Sequence, residues 1–333
     1  MKQPWEVDVN VLIIFFVRDD VLKQTFEAVK KARPRRLFLW QDGPRKGRKD
    51  DLEGIKRCRE IVKDIDWDCE VYENFHEENI GCDPSIFYAY NWAFSFVDKC
   101  IFLEDDQVPN TSYFHFCKEL LDKYENDERI SHICGYNYTE IAPDCDADYL
   151  FAPFGSGAWA SWKRVAQKWE GNYDFLNNEK EKQFIIDRYG KLGESSLEKA
   201  KRHKETGKEF WESIIGCNCF LNNQLAIIPK KNLVSNMGLT ENSTHSNSKM
   251  EYLPKATRNL YEMKTYELEF PLKHPKHVLI NTSYYKKVTK IMGIGHPWLR
   301  FFRRMSYIFR CIIHGEAGRL FKAFGRKIKR NKK

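Results

Sequence analysis

The 333-residue chain is 42% hydrophobic and 31% charged, a balance that supports a packed core and excludes global disorder. No run of about 18 apolar residues occurs, which excludes a spanning helix, and Met1-Lys2-Gln3-Pro4-Trp5-Glu6 lacks the apolar centre of a secretory signal. The net charge of +8 is unevenly placed: Trp298 to Lys333 holds twelve Lys or Arg against Glu316, a balance of +11, which leaves −3 on the rest.

Val9 to Val17 is a continuous apolar run of strand length closed by Arg18-Asp19-Asp20, the pattern of a strand buried on both faces. Val21 to Arg33 has helical spacing at Leu22, Phe26 and Val29, and Pro34 stops it. Leu37 to Trp40 is a second strand ended by the turn signal Asp42-Gly43-Pro44. Asp51 to Ile65 reads as a helix and Asp68 to Phe75 as a third strand. Asp83-Pro84 reads as an N-cap followed by a first-turn proline, opening a helix to about Val97. Cys100 to Leu103 is a fourth strand, ending at Glu104-Asp105-Asp106.

This alternation predicts an α/β fold with a mostly parallel, Rossmann-like sheet and flanking helices. Ligands of such sheets bind beyond the carboxyl ends of the strands, where Arg18, Asp42 and Glu104-Asp105-Asp106 all fall. Past Phe151 the texture changes to Gly155-Ser156-Gly157, Trp159, Trp162 and charged helices around 179–190 and 194–205, a helical lobe. The division expected is 7–150 for a donor-binding half, 151–296 for an acceptor and catalytic-base half, and 297–333 for a basic amphipathic tail. The ten scattered cysteines contain no CxxC pair and read as free thiols of a reducing compartment.

Three consecutive acids after a buried strand repel one another unless a cation offsets them. Hard ions such as Mn²⁺ or Mg²⁺ favour such carboxylates and keep positions open for phosphates. The plain alternative is a solvated acidic turn. Phe102-Leu103-Glu104-Asp105-Asp106 resembles the strand and EDD form of the DxD motif in GT-A glycosyltransferases, particularly the N-acetylglucosaminyltransferase I family. Other matches follow in the family's order: Arg18 and Gln41-Asp42, Asn79-Ile80-Gly81, Val108-Pro109-Asn110, the Gly-rich segment Phe154 to Trp159, Phe210-Trp211-Glu212 and Ser243-Thr244-His245-Ser246. The resemblance spans about residues 9 to 250. It departs in Glu212, where the family has Asp, in Ala89, where it has a nucleotide-contacting His, and in the tail.

The resemblance implies a GT-A fold and a metal-dependent, inverting transfer of a hexosyl or N-acetylhexosaminyl group from a nucleotide-diphosphate sugar, UDP favoured. It implies Asp106 as the metal ligand for Mn²⁺ or Mg²⁺, and donor contacts from Arg18, Asp42, Asn79, Gly81, Glu104, Asp105, Trp211 and His245. Glu212 is implied as the catalytic base, with Asp174 the alternative carboxylate. Read without the resemblance, Glu212 is a charge suited to a helix N-terminus, and His245 is either a metal or phosphate contact or a polar loop residue. A catalytically silent sugar-nucleotide-binding or membrane-docking protein of the same fold is the rival expectation.

In the tail, Arg300, Arg303, Arg304 and Arg310 share about a third of the helical circumference, with aromatic and aliphatic residues over most of the rest. A cationic helix of this kind reads as a membrane-surface signal, against a helix packed on its own domain. No nucleic-acid-binding pattern occurs. The expected partners are a nucleotide-sugar donor, a glycan or lipid-linked acceptor, and a membrane surface met through the tail. The expected location is peripheral, on the cytoplasmic face of the cell membrane.

Overall fold

The computed structural model describes residues 2–207, 211–239 and 253–314. The first hundred residues alternate as read: β1 (Val7–Phe15), α1 (Asp19–Ala32), β2 (Pro34–Gln41), α2 (Lys49–Val62), β3 (Glu70–Phe75), α3 (Cys82–Phe96) and β4 (Lys99–Glu104). There follow β5 (Gln107–Pro109), α4 (Thr111–Lys123), β6 (Ile130–Cys134), β7 (Tyr149–Ala152), β8 (Trp159–Trp162) and the short α5 (Lys163–Ala166). Beyond a single 3-10 turn at Asp174–Asn177 come α6 (Glu179–Tyr189), α7 (Lys191–Thr206), α8 (Glu212–Leu221), β9 (Leu225–Pro229) and β10 (Val234–Asn236). The last described elements are α9 (Lys255–Arg258), α10 (Thr282–Met292) and α11 (Pro297–Ile313).

Eight strands form one sheet in the order β3-β2-β1-β4-β8-β6-β9-β7. The pairs β3-β2, β2-β1 and β1-β4 are parallel, and so is β6-β9. Strand β8 runs antiparallel to both β4 and β6, and β7 antiparallel to β9. The expected α/β class is therefore what the chain adopts, with a parallel half and a mixed half. The boundary at 150/151 falls inside β7, and strands from both sides of it share the sheet. The two halves expected from the sequence thus share one sheet.

The apolar run of β1 is continuous because both faces are covered. Val9, Val11, Ile13 and Phe15 join the core layer with Leu22, Phe26 and Val29 of α1, Cys58 and Val62 of α2 and Leu120 of α4. Leu12 and Ile14 enter the opposite layer with Ile86, Ala89 and Tyr90 of α3, together with Phe102, Trp159 and Ile215 of α8. Alternate side chains of a strand point to opposite faces, so each layer is supplied by its own residue parity. The helices α6, α7 and α8 gather a separate cluster around Tyr173, Ile185, Tyr189, Ile214 and Phe220. This is the expected helical lobe. All ten cysteines are free thiols.

Asp83 is not the N-cap that its sequence suggested. Gly81 occupies the cap position of α3 without a side-chain hydrogen bond, and the Asp83 carboxylate instead accepts from the Trp211 N–H at 2.8 Å. Ala89 is fully buried on the inner face of α3 and packs in the core.

Candidate functional site

The strand register puts the chemistry on one edge. Ile14 stands opposite both Trp40 and Glu104, and Phe15 opposite Gln41, so the loops that follow β1, β2 and β4 open side by side. A cleft of about 1370 Å³ lies over them, and Arg18, Asp42, Asn79, Glu104, Asp105, Asp106, Trp211 and Glu212 all line it. Small-molecule pockets run to about 1000 Å³, so this cleft has room for more than one compact ligand. Gly81 closes the end of the Asn79 loop beside it. Asp174 does not line the cleft: it is exposed on the 3-10 turn and accepts from Asn172 Nδ2 at 2.6 Å. His245 and Phe210 lie outside the described residues.

Arg18 occupies the acidic turn itself. Its Nε and Nη2 donate to the two Asp105 oxygens, and Nη2 also donates to Asp106 Oδ2 at 2.9 Å. Burial would pull the guanidinium pKa down, but the charges of Asp105 and Asp106 outweigh it and the net shift is upward. For Asp105 burial dominates over Arg18 and its pKa is raised. Glu104 is raised well above the ordinary carboxylate range, by burial first and then by the charges of Asp106 and Glu212. The site concentrates negative charge that one guanidinium only partly offsets.

Two residues without a sequence signal shape this turn. Gln107 Oε1 accepts from the N–H of Glu104 at 3.1 Å and of Ala158 at 3.0 Å, while its Nε2 donates to Glu104 Oε1 at 3.2 Å. Thr25 of α1 donates to the carbonyl oxygen of Asp105 at 2.9 Å. The Gly-rich segment before β8 is tied to the acidic turn by the Ala158 contact, which explains why these two stretches share one cleft.

Asp42 is a buried clamp. Oδ1 accepts from the N–H groups of Gly43 and Ile80 at 2.9 Å each, and Oδ2 accepts from Asn79 Nδ2 at 2.8 Å and the Gly81 N–H at 3.1 Å. Four donors fill the roughly four acceptor directions of a carboxylate. Its pKa is nonetheless raised, because burial outweighs these backbone bonds. Gly43 permits the arrangement: a Cβ there would meet the Glu78 carbonyl carbon at 2.4 Å. Asp42 thus holds the 79–81 loop in place, with its acceptors already engaged.

The opposite wall begins at α8. Trp211, fixed through its N–H by Asp83, stacks on Trp159 with centroids 6.0 Å apart and meets Tyr90 edge-on at 5.1 Å. Glu212 follows in the first turn of α8, its side chain exposed within the cleft. Its pKa is raised, by desolvation first and further by Asp83, against the opposing pull of a hydrogen bond from its own backbone N–H and, less, of Lys199. The cleft is a concavity and not a free surface, so a carboxylate exposed within it can still be partly desolvated. Trp159 and Trp162 are buried.

Asp106 meets the oxygen-rich end of the cleft. Strand β10 pairs with β5 and brings Asn236 opposite Gln107. Gly238 then passes so close that a Cβ on it would lie 2.2 Å from Asp106 Oδ2 and 2.9 Å from Asn236 Oδ1. Among the described residues no group of three His, Cys, Asp or Glu side chains is arranged to hold a metal. A Mg²⁺-type ion held by one or two carboxylates and completed by substrate phosphates needs no such group. Asp106 lines the cleft and can supply a carboxylate of that kind, although its Oδ2 accepts from Arg18 and the neighbouring Asn236 Oδ1 accepts from the Gly238 N–H at 2.8 Å.

No protein-family model matches the chain, and no curated protein matches it. Among solved structures it is similar to 4-diphosphocytidyl-2C-methyl-D-erythritol synthase from Anaerococcus prevotii, at 12% identity over 47% of this chain and 73% of that one, with a TM-score of 0.29. It is also similar to the apo form of the glycosyltransferase GlyE from Streptococcus pneumoniae, at 15% identity over 62% of this chain and 42% of that one, with a TM-score of 0.28.

Proposed function

We propose that the chain is a metal-dependent, inverting glycosyltransferase that takes a sugar from a nucleotide-diphosphate donor, UDP favoured, to a hydroxyl of a glycan or glycolipid. The observation that carries this reading is the convergence in one cleft of Arg18, the Glu104-Asp105-Asp106 turn, the Asp42-clamped Asn79 loop and Glu212. Asp106 would hold Mn²⁺ or Mg²⁺, and the bound ion supplies charge stabilisation for the departing nucleoside diphosphate. Arg18 and the 79–81 loop line the space for the nucleotide, and Asp105 and Glu104 border the sugar side.

Glu212 is the base. It takes the proton from the acceptor hydroxyl as that oxygen forms its bond to the anomeric carbon and the bond from that carbon to the phosphate oxygen breaks. A raised carboxyl pKa suits a general base, since it brings the group closer to working pH. Trp211 stands next to it and offers a flat face for a sugar ring. Asp174 lies off the cleft lining and has no part in this scheme.

A panel of nucleotide sugars, each with and without Mn²⁺, tests the reading by thermal shift. Stabilisation by one donor only when Mn²⁺ is present is the expected result, and Asp106→Ala should abolish it. Equal stabilisation with and without the ion would overturn the metal assignment. Metal-dependent binding without any turnover or donor hydrolysis would identify a silent nucleotide-sugar binder.

A further inference from the structure

Helix α11 is turned inside out for a helix in water. Trp298, Phe301, Phe302, Met305, Phe309 and Ile312 lie within about 100° of its circumference at 3.6 residues per turn, and all are exposed, Trp298 at 74% and Phe302 and Phe309 at 64% each. Its one buried residue is Cys311. Arg303, on the opposite side, donates to the Ile291 carbonyl oxygen at 2.5 Å and the Lys290 carbonyl oxygen at 3.4 Å, at the C-terminal end of α10. Helix α10 in turn is rooted in the globule by Tyr284 and Val288. A cation satisfying the last carbonyls of a helix is a stable arrangement. It fixes α11 with its polar side toward the protein and its aromatic stripe outward, the reverse of a surface helix facing water.

We propose that this stripe docks the protein on an anionic lipid bilayer. Arg304, exposed, falls about 60° beyond one edge of the stripe, where the headgroup phosphates of a bilayer holding the stripe would lie. Trp298 to Lys333 carries a balance of +11, complementary to acidic lipid and repulsive toward a second copy of the same surface. No described helix is long and apolar enough to cross a membrane, so α11 lies on the bilayer. Its first turn belongs to the rim of the cleft, through Pro297 and Arg300. Docking therefore sets that rim at the lipid surface. If the transfer reading above holds, the acceptor is met there, but the docking does not depend on it.

The test is flotation of the full chain with vesicles of phosphatidylcholine alone and of phosphatidylcholine with phosphatidylglycerol in equal parts. Binding to the acidic vesicles only, weakening as salt rises, is expected. The triple variant Trp298→Ser, Phe302→Ser, Phe309→Ser, whose positions lie off the cleft lining, should lose about tenfold or more of this binding and keep the metal-dependent donor shift. Arg304→Glu should weaken it less. Undiminished flotation of the triple variant would overturn the proposal. So would a dimer in lipid-free solution that the triple variant converts to monomer. Loss of flotation in the native chain with the donor shift intact sinks the docking alone; flotation without any donor shift sinks the transfer reading alone.

Discussion

The two walls of the cleft hold their carboxylates in different ways. On the strand-end wall, Asp42 receives four hydrogen bonds and Asp105 receives two from Arg18, all from groups brought in by parallel-strand loops. On the helical wall, Glu212 stands exposed at the start of α8 with its pKa raised. A wall that binds a fixed, charged ligand gains from being satisfied in advance. A group that must accept a proton gains from having its oxygens left available. Each wall can be broken separately.

The largest effect is expected on the helical wall. Glu212→Gln keeps the shape and the Trp211 stack but removes the proposed base, so transfer should fall by about 10²- to 10⁴-fold with the metal-dependent donor shift unchanged. Undiminished turnover in this variant would remove Glu212 from the mechanism and with it the division between the walls.

On the strand-end wall the expected loss is one of stability. The Arg18 and Asp105 side chains are 13% and 6% exposed, so their pairing is largely shielded from solvent. Arg18→Met strands Asp105 and Asp106 without a counter-charge, which for a buried pair costs about 3–5 kcal/mol. Denaturant unfolding would show it, and Mn²⁺ should restore part of the loss by taking over the neutralisation. A variant as stable as the native chain would mean that Arg18 is a ligand contact and not a structural one.

How much of this was legible beforehand follows from where each signal resides. Arg18, Asp42 and the acidic turn could be placed on one edge because uninterrupted apolar runs mark strands buried on both faces, and their ends mark the ligand side. Gln107, Thr25 and Gly238 gave no such signal. Gln107 and Thr25 act through side-chain contacts to distant backbone, and Gly238 reaches Asp106 only because β10 pairs with β5 from more than a hundred residues away. Asp83 looked like a helix cap on local chemistry, and a tertiary partner, the Trp211 N–H, claimed it. For α11 the periodicity was readable and the orientation was not, since that depends on the carbonyls that end α10. Local patterns specify elements; which face or oxygen is used is decided by what packs against it.

The smallest effect is a change in how the stability depends on pH. Glu212 has a folded pKa above its ordinary value. A group raised in this way adds stability that is fully present below its unfolded pKa and is lost as pH rises through its folded pKa. Near neutral pH the native chain has therefore given up that contribution, while Glu212→Gln has no proton to lose. The variant should be equal to or slightly more stable than the native chain at neutral pH, and its stability should change less with pH across the carboxylate range. Thermal melts at stepped pH would show this. The same raised pKa places the acid limb of the transfer rate above that of an ordinary Glu, because only the ionised carboxylate accepts the proton. If Glu212→Gln is less stable at neutral pH, the carboxylate is instead a favourable charge at the start of α8, the structural role its position alone suggested. The helical wall would then be as fully committed in advance as the strand-end wall.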